Sequence, residues 1–259
     1  MKINRIETKL IIQLVHQAKP LIMDLENAHK ITVKGQADFV TQVDTSVQSF
    51  IRTALAKLTP DVQFMGEEEH KNTIDPSRPA WILDPIDGTT NLIYDFHHSA
   101  VSLAYYENGQ IHFGVVYNPF TEETFHGIRG AGAFLNEKAI HVNDEKTLSN
   151  SLIAIGTSPY DREMAADNFQ IFQRVFEHTL DIRRTGAASL DLAYTACGRL
   201  DGYIERNLKP WDFSAGAVIL EEAGGRITDY NGNPVDYCKN QDILATAGAI
   251  HESLAALLK

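Results

Sequence analysis

A chain of 259 residues, 44% hydrophobic and 22% charged, has an ordinary globular composition and can bury a sizeable core as one domain or two sharing it. Its formal net charge of −11 argues against general affinity for nucleic acid or an anionic membrane. Cys197 and Cys238 lack CxxC spacing, charges near the N-terminus interrupt any signal-peptide run, and no stretch nears the ~20 apolar residues of a membrane span, so a reduced cytoplasmic protein is expected.

Apolar positions at helical spacing (Ile3, Ile6, Leu10, Leu14, Leu21, Leu25) predict a helix over residues 3–28, kinked or divided at Pro20. A second helix fits residues 44–58, followed by a short strand over 62–65 that runs into Gly66-Glu67-Glu68. A brief buried strand, Trp81 to Leu83, leads into Asp84-Pro85-Ile86-Asp87-Gly88-Thr89-Thr90. Residues 99–106 and 111–117 flank a Glu-Asn-Gly-Gln turn and read as a hairpin, with strands continuing over 123–128 and 132–135. The first half is expected to be helices on an antiparallel sheet. From Leu152 the pattern alternates: strands over 152–156, 181–184, 203–205 and 226–229, helices over 165–178, 188–198 and 212–223. That is an α+β part followed by an α/β part, divided as 1–147 and 148–259, with a site between them.

Four segments each place an acid at a strand end or helix start: Asp44 after Thr41, Gly66-Glu67-Glu68, the Asp84–Thr90 segment, and Trp211-Asp212-Phe213-Ser214-Ala215-Gly216. Taken singly, Asp44 and Asp212 read as helix caps, the glutamates as a solvated loop, and Asp-Pro and Asp-Gly as turn dipeptides. Pro85 is expected to turn the chain sharply so that Asp84 and Asp87 face one point, with the Ile86 carbonyl free as an oxygen ligand. Gly88 permits close backbone approach, and the helix start at Thr89 and Thr90 offers unpaired N–H groups to an anion. A cation site beside an anion site suits a phosphate ester. Oxygen ligands without a His or Cys cluster select Mg2+ first and Mn2+ second. Burying five negative charges (Asp44, Glu67, Asp84, Asp87, Asp212) calls for roughly two or three divalent ions. His97 and His98 adjoin the segment and are flagged more weakly.

With these residues assembled, the chain resembles the inositol monophosphatase family of lithium-sensitive, magnesium-dependent phosphatases, from Lys34 through Gly225. The acidic pair, the DPIDGT run at Asp84–Thr89 and the WDFSAG run at Trp211–Gly216 carry the resemblance. It implies a layered α/β/α/β sandwich and a homodimer. It implies a first metal at Glu67, Asp84 and the Ile86 carbonyl, a second at Asp84, Asp87 and Asp212, and a weaker third at Glu67. Thr89, bonded to Asp44, would activate the attacking water; Asp44, Glu67 and Thr89 are thus the catalytic candidates. Gly88, Thr89 and Thr90 would bind phosphate, and Asp87, Ala188 and Glu205 the substrate hydroxyls. Two departures stand out. Residues 156–161 match the inositol-type pattern only loosely, and Arg206 and Lys209 place positive charge at the expected pocket mouth, suited to a second phosphate. Inositol monophosphate, with NADP(H) and other small esters, is the expected substrate. The alternatives are a histidinol-phosphate, sugar-bisphosphate or 3′-phosphoadenosine phosphatase, and a regulatory binding protein without turnover; a calcium module is disfavoured by the lack of an EF-hand loop.

Overall fold

The structure is a computed structural model that describes residues 5–35, 37–69, 73–145 and 147–259. The N-terminal helical stretch is divided next to Pro20, as expected, and again after Ile22, into α1 (Arg5–His16), α2 (Lys19–Ile22) and α3 (Leu25–Ala28). Pro20 sits in the first turn of α2, the place its missing N–H is harmless, and so starts a helix instead of bending one. Ile3, predicted to begin the helix, lies outside the described residues. A hairpin of exposed β1 (Ile31–Gly35) and partly buried β2 (Asp38–Thr41) follows, unforeseen because its outward first strand carries no burial pattern. Thr41 then caps α4 (Gln42–Leu58), so Asp44 is the third helical residue and not the cap.

The first large sheet holds β3 (Gln63–Gly66), β4 (Ala80–Asp87), β5 (Ala100–Glu107), β6 (Gln110–Asn118), β7 (Glu123–Ile128), β8 (Gly132–Leu135) and β9 (Lys138–Ala139) in sequence order. All its neighbours are antiparallel except β3 and β4. A short helix, α5 (Thr89–Ile93), interrupts the run between β4 and β5. The second half supplies β10 (Leu152–Ile155), α6 (Ala165–His178), β11 (Asp181–Arg183), α7 (Ala188–Ala196), β12 (Gly202–Leu208), α8 (Pro210–Glu222), β13 (Arg226–Asp229), β14 (Gln241–Thr246) and α9 (His251–Ala255). Its sheet has the order β11-β10-β12-β14-β13. The parallel βαβ expectation holds for β10, β11 and β12, whereas β14 inserts antiparallel between β12 and β13.

Alternating faces of the strands sort the core into layers. Trp81 and Leu83 of β4 pack with Val47, Ile51 and Leu55 of α4, while Ile82 faces the other way, toward Leu192 of α7 and Ile219 of α8. Tyr203 and Ala245 of the second sheet close that same central cluster, so α7 and α8 lie between the sheets. Ile153, Ile204 and Leu244 turn outward onto Ile171 and Val175 of α6 and Leu254 of α9. The four layers implied by the resemblance are present in order, and α6 with α9 adds a fifth. Among the described residues no helix is long and apolar enough to cross a membrane.

Candidate active site

The chain does not turn sharply away at Pro85; Asp84 to Asp87 stays in β4. Asp84 pairs with Ser102 and Asp87 with Ala100, so three steps along β4 answer two along β5. The extra residue is a bulge at Pro85-Ile86, where proline's missing N–H costs no ladder bond. In a regular strand, residues three apart point to opposite faces. The bulge cancels that alternation, and Asp84 and Asp87 line one cleft. The Ile86 N–H donates to Asp84 Oδ1 (2.9 Å) and fixes the bend. Gly88 then takes φ +85°, where a side chain would also meet the His98 carbonyl at 3.0 Å, and α5 begins.

Asp44 reaches this segment from the first turn of α4. Its Oδ2 accepts the Thr41 N–H (2.8 Å) and hydroxyl (2.5 Å), leaving Oδ1 for the Thr89 hydroxyl at 3.0 Å. Thr89 Oγ1 is also 3.0 Å from the Ile86 carbonyl. Glu67 follows β3 directly, whereas Glu68 is drawn aside by Lys34 at 2.5 Å. Asp212 is the third residue of α8, its Oδ2 accepting the Lys209 N–H (2.7 Å); the cap reading is corrected because Pro210 starts the helix earlier. Asp87 is held by the start of α7: Oδ1 accepts Ala188 N–H (3.2 Å), and Oδ2 accepts Ser189 N–H (2.7 Å) and hydroxyl (2.5 Å).

A cleft of 380 Å³ gathers Glu67, Asp84, Ile86, Asp87, Gly88, Thr89, Thr90, Ala188, Glu205 and Asp212, with Asp44 fully buried beneath Thr89. Of the substrate-contact candidates, Ala188 spends its N–H on Asp87. Glu205 has both oxygens engaged by the chain, Oε1 by Ser158 N–H (2.9 Å) and Oε2 by Tyr203 OH (2.5 Å). His97 pairs with Asp95 and stacks on Phe120, and His98 packs edge-on against Tyr194; neither lines the cleft. Arg206 and Lys209 are likewise absent from the lining, and Arg206 pairs with Asp242 at 3.4 Å. The lining arginines are instead Arg162 and Arg184. Asp191 also lines the cleft and accepts the Thr185 hydroxyl at 2.7 Å. An acid inside the apolar helix Ala188–Ala196 was the signal that could have found it.

Burial and mutual repulsion raise the carboxyls of this cluster together. Burial, then Asp212 and Glu68, pushes the Glu67 carboxyl well up; burial, then Glu67 and Asp87, does the same to Asp84. Asp212 is raised by burial and Asp87, and Asp87 is raised to about 6 by burial despite its bonds from Ser189. Burial raises Asp44 against the opposing hydrogen bonds of Thr41 and Thr89. Glu67 and Asp84 come within hydrogen-bonding reach of each other, an arrangement in which two carboxylates must share a proton or a cation. Among the described residues no three acidic, histidine or cysteine side chains gather tightly enough to hold an ion alone. Paired carboxylates with a backbone carbonyl fit a hard cation that completes its shell with water and substrate oxygens, as Mg2+ does.

The sequence profile described as the Inositol monophosphatase family matches residues 5–259. An inositol-1-monophosphatase of Rhizobium meliloti is 42% identical over 78% of this chain and 76% of its own. A protein of Vibrio cholerae named Nus factor SuhB is 40% identical over 86% of this chain and 84% of its own. Among solved structures, the extragenic suppressor protein suhB from Bartonella henselae superposes with a TM-score of 0.89 at 34% identity, covering 97% of this chain and 98% of that one. SaIMPase-II, solved with inositol monophosphate bound, gives 0.85 at 27% identity, covering 97% and 94%.

Proposed function

The chain belongs to the inositol monophosphatase family, and on that premise we propose that it is a Mg2+-dependent phosphomonoesterase acting on inositol monophosphate and other small phosphate esters. The observation that carries this reading is the Thr89 hydroxyl, 3.0 Å from buried Asp44, at the head of α5 in a cleft lined by Glu67, Asp84, Asp87 and Asp212. Glu67, Asp84, Asp87, Asp212 and the Ile86 carbonyl would hold two or three Mg2+ ions, or Mn2+. When bound, these ions neutralise the carboxylates, polarise the phosphoryl oxygens and lower the pKa of water.

The chain's own groups do the rest. N–H groups at Gly88, Thr89 and Thr90, lacking intrahelical partners at the start of α5, hold the phosphate. Thr89 Oγ1 takes a proton from the attacking water while passing its own to Asp44 Oδ1. Water attacks phosphorus in line as the ester P–O bond breaks, and the leaving alkoxide is protonated from solvent. Asp87, fixed on α7, and Glu205, fixed on β12, shape the side where the alcohol sits.

Phosphate release from inositol 1-phosphate and NADP, side by side, with and without Mg2+, tests this. Mg2+-dependent release from the inositol ester is expected. No release from either ester with Mg2+ or Mn2+ refutes the activity; release from NADP alone refutes the substrate. The relative named Nus factor SuhB supports a second reading, a regulatory binding function on the same fold. On that reading, Thr89→Ala leaves the protein's biological effect intact.

A further inference from the structure

The Thr89 hydroxyl can serve the reaction only where α5 holds it, and five residues are too few for that helix to hold itself. Its anchors are side chains. Ser99, fully buried, donates its hydroxyl to the Gly88 carbonyl at 2.8 Å. Asn91 is buried within α5, and its amide nitrogen donates to two carbonyls, His98 at 2.7 Å and Thr185 at 2.9 Å. Two acceptors leave the amide one orientation, with nitrogen toward both, and they use both of its hydrogens. The first bond closes the local connection between α5 and β5. The second crosses to a segment 94 positions later in the chain.

That segment is the turn Thr185-Gly186 at the entry to α7, and it meets the phosphate-binding turn backbone to backbone. A Cβ on Gly88 would stand 3.3 Å from the Gly186 carbonyl oxygen and 3.3 Å from the Ala187 side chain. A Cβ on Gly186, which takes φ +89°, would stand 3.3 Å from the Asn91 amide nitrogen. On the other side of the turn, the Thr185 hydroxyl lies 2.7 Å from both oxygens of Asp191, a buried acid to which the hydrolysis gives no other task. Just beyond, Ala188 and Ser189 donate their N–H groups to Asp87. A single amide thus joins the helix that carries Thr89 to the turn that leads into the donors of Asp87.

We infer that Asn91 is a positioning residue for the hydrolysis, its bond to the Thr185 carbonyl setting the spacing between the Thr89 hydroxyl and the Asp87 carboxylate. This rests on the phosphatase reading above. Thr89 directs the attacking water, and Asp87 belongs to the carboxylates that would hold the cations. Their separation therefore decides whether attack runs in line with the leaving oxygen. A misplacement of about 1 Å in such geometry lowers the rate about a hundredfold. Leucine has the size of asparagine but no hydrogen to donate, so it would strip both carbonyls of this bond. Aspartate would set a charge against them.

The test measures kcat and KM for inositol 1-phosphate, the Mg2+ dependence of turnover and Tm. The proteins are the wild type, Asn91→Leu, Asn91→Asp, Thr185→Val, the Asn91→Leu/Thr185→Val double variant and Val175→Ala. Thr185→Val keeps the carbonyl and frees the turn from Asp191, whereas Val175→Ala lowers Tm from the buried face of α6, outside the cleft lining. At a temperature where circular dichroism shows the variants folded, kcat should fall about tenfold or more in Asn91→Leu, with KM moving less and more Mg2+ needed for half-maximal turnover. The double variant should lose less than the product of the two single losses, because both loosen one turn. Asn91→Asp supplies the same comparison if Asn91→Leu does not fold. An unchanged kcat, a loss no greater than in Val175→Ala, or single losses that simply multiply in the double variant overturns the inference and leaves the reaction standing. No release by the wild type overturns both.

Discussion

Thr89 donates to two acceptors, Asp44 Oδ1 and the Ile86 carbonyl, with the same 3.0 Å geometry, so its single proton has a choice. Only the bond to Asp44 serves a proton relay, because the carboxylate can take the proton and the carbonyl cannot. Thr89→Ala should lower kcat about 10²- to 10⁴-fold, the range for a positioned acid–base group, while Thr89→Ser should recover most of it. Equal losses in both variants would show that the methyl, not the hydroxyl, matters. Asp87→Asn should reduce turnover about a hundredfold or more with the circular dichroism unchanged, and unchanged turnover would remove Asp87 from the metal site. The structure adds a cost for that variant: one amide cannot accept all three bonds that α7 donates. At this scale the acids were readable, because each ends an apolar strand or opens a helix. The arginines were not. Arg206 and Lys209 adjoin Asp212 in sequence, but β12 places Arg206 beside Asp242, and only the fold brings Arg162 and Arg184 to the cleft.

Two elements show how the site is supported. The loop after β10 lies so close to β12 that a Cβ on Gly156 would be 1.9 Å from the Glu205 carboxylate. Gly156→Ala must displace that carboxylate from Ser158, loosening the loop that carries Tyr160 and Arg162. The expected outcome is a loss of about 1–3 kcal/mol with a raised KM, read by urea denaturation and steady-state kinetics. On α6, Asn168 shares the buried face of Ile171, Phe172 and Val175, and among the described residues neither of its amide atoms has a partner. Asn168→Leu should therefore stabilise the protein by about 1 kcal/mol, seen as a higher Tm; a lower Tm would mean that the amide is bonded to water in solution. Strong periodicity made α6, α7 and β13 legible nearly to the residue. β14 was missed because Gln241–Thr246, half polar and half apolar in blocks, shows no alternation. Pro85 was misread because a bulge tolerates a proline that a regular strand does not.

Across the whole molecule, helices from the second half of the chain lie between the sheets and bring Asp212 and the Asp87 anchor to a cleft begun by the first half. The alternation of strands and helices revealed the ingredients but not that interleaving, since which face of a helix meets which sheet depends on contacts between distant residues. With a formal charge of −11 and like charges confined in the cleft, Mg2+ should raise Tm, and less so in Asp84→Asn; a Tm indifferent to Mg2+ would mean the cluster holds no ion. Its pH response should be governed partly elsewhere, at His251 between β13, β14 and α9. Thr228 donates to the Asp229 carbonyl (2.7 Å) and its oxygen lies 3.0 Å from His251 Nε2, while Thr246 Oγ1, which accepts the Gly248 N–H (3.2 Å), lies 2.9 Å from Nδ1. Both ring nitrogens thus have a hydroxyl partner inside the fold. Burial first, then Arg226, pushes the imidazole from 6.5 down to about 4, with Glu252 pulling weakly the other way. The unfolded chain thus takes up this proton before the folded one does. The stabilisation is complete above the unfolded pKa and is lost as pH falls from 6.5 toward 4, by about 2 kcal/mol near pH 5. Urea midpoints at roughly pH 7.5 and pH 5 should therefore converge in His251→Gln relative to the wild type, even though the variant is weaker at the higher pH. An identical pH slope in both proteins would show that the fold leaves the proton affinity of the imidazole unchanged.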